Sequence, residues 1–185
     1  MHLYYTKVIK NFIILPLILL FLATCSKKDN DFYKVVSIHD GDTISITIKS
    51  FLGISLKTEK VRLIGIDAPE IEQKPWGIKA KNHLKKLIKE SNWLVRLEFD
   101  IQHKDRYGRL LAYVWDKNGK MVNYMMVRDG YAVLYTVPPN VKYVNLLINA
   151  QRLARQEGKG IWGKDGLKEL PSEWRERYKS LNLSP

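Results

Sequence analysis

Tyr33-Lys34-Val35-Val36-Ser37-Ile38-His39-Asp40-Gly41-Asp42-Thr43-Ile44-Ser45-Ile46-Thr47-Ile48-Lys49 is the stretch from which the fold is read. From Thr43 to Lys49 the isoleucines 44, 46 and 48 alternate with Ser45, Thr47 and Lys49, the period of a strand with one face toward a core. Tyr33 to His39 reads as the strand before it. The short, turn-forming Asp40-Gly41-Asp42 link joins the two, so the pair forms a hairpin with carboxylates at its tip.

A further strand is expected from Val61 to Ile66, stopped by Ala68-Pro69. Ser50 to Lys60 would extend both neighbouring strands around a second turn near Gly53. Pro75 stands where a first helical turn tolerates proline, and Trp76, Ala80, Leu84, Leu87 and Ile88 follow at helical spacing. Trp93–Phe99 and Leu110–Trp115 read as strands flanking a charged loop that holds His103 and Asp105 to Arg109. Val122–Asp129 reads as a short helix closed by Gly130. Tyr131–Tyr135 is expected to be extended, Pro138-Pro139 breaks the chain, and Tyr143–Glu157 forms a longer helix ended by Gly158 and Gly160. Five curled strands with about three helices suit a mainly β, α+β architecture: a five-stranded OB-type barrel over residues 32–165. Residues 166–185 form a basic extension, expected either to dock as a helix from Pro171 or to remain a loose appendage.

The chain has 185 residues, enough for one domain with a core and short for two, and its 45% hydrophobic content is ordinary for a globular fold. Residues 1–24 differ from the rest. Lys7 and Lys10 are their only charges, and the apolar run from Phe12 to Ala23 has the order of an export signal while being short for a bilayer span. It ends at Leu22-Ala23-Thr24-Cys25. Cys25 is the single cysteine, and the pattern resembles a bacterial lipoprotein signal in which that residue is lipidated; an ordinary cleaved signal and an uncleaved anchor are the alternatives. Residues 25–31 are polar and suit a tether. The expectation is an exported bacterial protein, lipid-anchored to the cell envelope, or else secreted or periplasmic. The remaining domain has no cysteine, which excludes an internal disulfide and a thiolate metal site. A net charge of +12 favours polyanionic partners.

Asp40, Asp42, Asp67 and Glu70 lie at predicted strand ends. Singly, each has a simple role as a turn cap or a surface acid. Together they would converge the carboxylate and carbonyl oxygens that a hard cation such as calcium requires. Arg62, within a predicted strand, and Arg109, after Tyr107-Gly108, have bland readings as an ion-paired and a solvated charge. A guanidinium fork also matches two phosphate oxygens at once. No histidine pair has zinc-ligand geometry, and neither a Ser-His-Asp arrangement nor a phosphate-cradling glycine loop is present.

The Asp40-Gly41-Asp42-Thr43 turn, the Arg62-Leu63-Ile64-Gly65-Ile66-Asp67-Ala68-Pro69-Glu70 strand and loop, and the Asp105-Arg106-Tyr107-Gly108-Arg109 loop resemble, in order and spacing, the thermonuclease-like (staphylococcal nuclease-like) family. The likeness covers roughly residues 32–163. It implies an OB-type fold and cleavage of DNA and/or RNA, with single strands preferred, at the P–O5′ bond to leave 3′-phosphate ends. It further implies one calcium ion held by the Asp42 and Asp67 side chains and the Ala68 main-chain carbonyl, with Asp40 nearby. Glu70 would orient or deprotonate the attacking water, and Arg62 and Arg109 would grip the phosphate. Arg106 and Tyr107 are candidates for contacts beside the reactive phosphate, and Tyr131, Tyr135 and Trp76 for base stacking. The competing readings are an OB-type nucleic-acid-binding module without catalysis and a structural envelope lipoprotein.

Overall fold

The structure is a computed structural model and describes residues 32–49 and 56–183. The expected signal over residues 1–24, the tether 25–31 with Cys25, and the turn near Gly53 lie outside the described residues. Seven strands are described: β1 (Phe32–Ile38), β2 (Thr43–Lys49), β3 (Leu56–Leu63), β4 (Gly65–Asp67), β5 (Leu94–Lys104), β6 (Leu110–Asp116) and β7 (Val133–Tyr135). The helices are α1 (Trp76–Glu90), α2 (Val122–Arg128), α3 (Val144–Gln156) and α4 (Pro171–Leu183), with one 3-10 turn at Gly160–Trp162.

Five strands close a barrel in the order β1-β2-β3-β6-β5, with β3 and β6 parallel and the other neighbours antiparallel. This is the OB-type barrel expected, and among the described residues its four helices are the three expected and one from Pro171, the helical alternative for the tail. Ile44, Ile46, Val61, Leu63, Val95 and Ala112 fill the interior, and Ala80, Leu84 and Ile88 of α1, Met126 of α2 and Leu147 of α3 join the same core. The alternation in β2 is less one-sided than its sequence suggests. Thr43 and Ser45 are buried as well, and the Ser45 hydroxyl lies 2.7 Å from His39 Nε2.

The strand expected from Val61 to Ile66 is two strands in two sheets. Gly65 takes a φ of +79°, a left-handed conformation costly for any other residue, and the chain turns there. β3 therefore begins at Leu56 and ends at Leu63, while β4 leaves the barrel and pairs with β7, Gly65 opposite Tyr135 and Asp67 opposite Val133. Asn123, fully buried, holds the turn: its Nδ2 donates to the Ile64 carbonyl and its Oδ1 accepts the Val114 N–H, each at 2.8 Å.

Three further boundaries move. Trp93 has a φ of 61° and precedes β5, which runs on to Lys104 and so takes in His103. The Asn140 side chain holds this extension as a partner strand would, exchanging two 2.8 Å hydrogen bonds with the Gln102 backbone. β7 is shorter than Tyr131–Tyr135, because the N–H groups of Tyr131 and Ala132 are spent on the Met126 carbonyl at the end of α2. The tail from Pro171 is the helix α4, whose Arg175 reaches back to Asp67 and Glu70.

Candidate active site

Register puts the acids and arginines together. Thr43 opposes Arg62 across β2 and β3, so the turn acid Asp42 sits beside that arginine, and Arg62 opposes Leu111 of β6. The Leu63 N–H donates to the Asp42 carbonyl at 2.8 Å, which ties the hairpin tip to the end of β3. Asp40 Oδ1 accepts the Asp42 N–H at 2.9 Å and shapes the turn. Asp67, at the end of β4, is 1% exposed.

Asp42 is buried, and its carboxylate is shared. Oδ2 accepts the Ala68 N–H at 2.8 Å and lies 3.0 Å from Arg62 Nη1, while Oδ1 accepts the Thr43 hydroxyl at 3.1 Å. Arg62 Nη2 reaches Asp67 Oδ1 at 3.2 Å, so one guanidinium bridges the two aspartates. Burial pushes the Asp42 carboxyl up to about 7. Arg62 works against that rise, and the charges of Asp40 and Asp67 add to it.

Arg109 enters from the loop after β5. Its Nε donates to Asp105 Oδ2 at 2.7 Å, and Asp105 Oδ1 accepts the N–H groups of Tyr107 and Arg109 at 2.9 and 3.0 Å. Tyr107 is 68% exposed, and Arg106 donates to its hydroxyl at 2.6 Å. A cleft of about 770 Å³ is lined by Asp40, Asp42, Arg62, Asp67, Ala68 and Glu70 together with Arg106, Tyr107, Arg109 and Tyr135. Ten of the twelve expected metal, catalytic and substrate positions in the domain thus line one cavity.

Trp76 does not. It is buried, packs with Val133 and Ile161, donates its Nε1 to the Asp165 carbonyl at 3.3 Å, and lies outside this cleft. Tyr131 stacks on His83 with ring centroids 4.1 Å apart, outside this cleft.

The donor set fits a hard divalent cation: neighbouring carboxylates, no thiolate, and no imidazole among the lining residues. Among the described residues no three His, Cys, Asp or Glu side chains form a complete metal cage. The two aspartates would therefore need a main-chain carbonyl and water to fill the shell.

Three residues that the sequence did not single out build this site. Gln73 Oε1 accepts the Glu70 N–H at 3.0 Å, and its Nε2 donates to the Glu169 carbonyl at 3.1 Å. Arg175 binds Asp67 and Glu70, and Lys179, one helical turn on, lines the cleft. The only signal for the two cations was the basic character of the tail.

Residues 60–164 match the family model described as staphylococcal nuclease homologue. A thermonuclease of Staphylococcus hyicus is 37% identical over 145 residues, spanning 76% of this chain and 80% of that protein. A thermonuclease of Staphylococcus intermedius is 40% identical over 135 residues, spanning 70% and 75%. An uncharacterized endonuclease of Haemophilus influenzae is 36% identical over 170 residues, spanning 92% and 86%.

Proposed function

Because this chain belongs to the staphylococcal nuclease homologue family, we propose that it is a calcium-dependent nuclease that hydrolyses phosphodiester bonds of DNA and/or RNA, with single strands preferred. The observation that carries this reading is the single cleft where Asp42, Asp67 and Glu70 face Arg62 and Arg109. Asp42 and Asp67, with the Ala68 carbonyl, would hold a calcium ion, which when bound supplies positive charge to the phosphodiester.

The remaining chemistry belongs to the side chains. Arg62 and Arg109 grip nonbridging phosphate oxygens and meet the charge that grows as the phosphorus becomes five-coordinate. Arg62 is already aimed by its two aspartates, and Arg109 by Asp105. Glu70 orients the attacking water and accepts its proton. The new P–O bond forms as the P–O5′ bond breaks, and the leaving oxygen takes a proton from solvent, giving a 3′-phosphate and a 5′-hydroxyl. Arg106, Tyr107 and Tyr135, on the cleft wall, receive the flanking chain. Cleavage-independent binding would not need Glu70 and paired aspartates in this cleft, which weighs against a pure binding module.

Residues 1–24 serve in this reading as an export signal, Cys25 as the lipidated residue and residues 25–31 as a tether, holding residues 32–165 at the cell envelope. Among the described residues no helix is long and apolar enough to cross a membrane.

End-group analysis of products from heat-denatured DNA and from RNA tests the reaction. The expected products carry 3′-phosphate and 5′-hydroxyl ends. Products with 5′-phosphate ends would contradict the bond assignment, and binding without products would favour the non-catalytic module.

A further inference from the structure

Arg175 projects from α4 into the acidic side of the cleft. Its Nη1 donates to Asp67 Oδ1 at 3.0 Å and to Glu70 Oε1 at 2.8 Å, and its Nη2 donates to Asp67 Oδ2 at 2.8 Å. Arg62 also reaches Asp67 Oδ1. Both Asp67 oxygens are thus taken by guanidinium groups, and the carboxylate assigned to the water is held by the same arginine. The Asp67 side chain is 2% exposed and that of Arg175 32%, so the pair is sheltered on the acid's side, unlike an ordinary surface ion pair.

A guanidinium fork and a divalent cation draw on the same lone pairs and neutralise the same charge. We infer that Arg175 is a built-in cation that competes with calcium for Asp67, and that it must release Asp67 and Glu70 before the site holds the metal. This rests on the reading of Asp42 and Asp67 as calcium ligands. Arg175 is then a positioning residue that sets the site's cation affinity. The segment before α4 is pinned independently, by Gln73 on the Glu169 carbonyl and Trp76 on the Asp165 carbonyl. Release therefore requires movement of the Arg175 side chain or of α4, not of the segment leading to it. A polyanion is suited to draw it away, since Arg175 and Lys179 both line the cleft and can exchange carboxylate for phosphate.

The test is calorimetric titration of calcium chloride into the full-length protein and its Arg175→Ala, Arg175→Gln and Asp42→Asn variants, with thermal unfolding as a check of folding. Arg175→Ala and Arg175→Gln are expected to bind calcium about tenfold or more tightly than the wild type, the scale of losing a competing charge-assisted pair. Asp42→Asn should abolish that binding. Arg175→Gln, which keeps the length of the side chain, decides the matter if Arg175→Ala fails to fold. Unchanged or weaker calcium affinity in the Arg175 variants, with binding still lost in Asp42→Asn, would overturn the competition and leave the metal-site reading standing. No calcium binding in any variant, or binding indifferent to Asp42→Asn, would overturn both.

Discussion

Glu70 is held in place by Gln73. The Gln73 amide oxygen accepts the Glu70 backbone N–H at 3.0 Å, and the Gln73 N–H returns a 2.9 Å bond to the Glu70 carbonyl. Gln73 is itself buried, with its amide nitrogen on the Glu169 carbonyl. Gln73→Ala strands two polar backbone groups, at roughly 1–3 kcal/mol for a buried unsatisfied one. The expected result is a lower midpoint of thermal unfolding together with a fall in kcat. An unchanged kcat would mean that the Glu70 loop keeps its geometry without this support.

The two arginines should separate. Arg109 pairs with the surface-proximal Asp105, whereas Arg62 neutralises two buried aspartates. The buried bridge gives Arg62 a part in stability that Arg109 lacks. Arg109→Ala should lower the cleavage rate about 100-fold or more, as for loss of a transition-state donor, with little change in unfolding midpoint. Arg62→Ala should lose comparable activity and also roughly 3 kcal/mol of stability, because it breaks a buried ion pair. Parallel denaturant melts and initial rates check this; a fully stable Arg62→Ala would contradict it.

Asp105 links pH to the same loop. Burial opposes ionisation of Asp105, but the hydrogen bonds and charge of Arg109 outweigh it and hold the carboxyl below its ordinary value. A depressed folded-state pKa contributes stability that is present above the unfolded value of about 3.9 and is lost as pH falls through the lower folded one. Asp105→Asn should therefore be less stable than the wild type at neutral pH, and the difference should shrink as acid is added below about pH 4. A difference between the two proteins that stays constant down to pH 2 would refute this linkage.

Gly77, in the first turn of α1, packs against the loop that carries Glu70. A Cβ there would collide with the Glu70 carbonyl oxygen and lie 2.7 Å from Ile71 Cα. Gly77→Ala, ordinarily favourable inside a helix, should here destabilise by about 1–3 kcal/mol and displace Glu70. Urea unfolding and kcat should fall together; a stabilised variant would show that the loop yields freely.

The hairpin was legible because its information is local: Ile44, Ile46 and Ile48 alternate, and Asp40-Gly41-Asp42 can only turn. The acids and arginines were legible from the three motifs and their resemblance to a family. The break at Gly65 was not, since Leu63, Ile64 and Ile66 look continuous and only the positive φ divides them. Trp76 was offered to bases because helical spacing gives a face but not its neighbours, and the fold sets it beside Val133 and Ile161, away from the cleft. Arg175 was out of reach of any local pattern: 108 residues separate it from Asp67. Period and turn chemistry report neighbours along the chain, whereas that contact exists only once the barrel has closed and α4 has docked.

A reaction that runs on a cation among Asp42 and Asp67, beside a phosphodiester gripped by arginines, depends on that cation at every turnover. The deciding measurement is the initial rate of heat-denatured DNA cleavage in calcium, after addition of excess chelator, and after calcium is restored, for the wild type and Asp42→Asn. Cleavage should stop with chelator and return with calcium in the wild type, and Asp42→Asn should remain inactive throughout. Undiminished cleavage in chelator, or full activity in Asp42→Asn, would contradict the account.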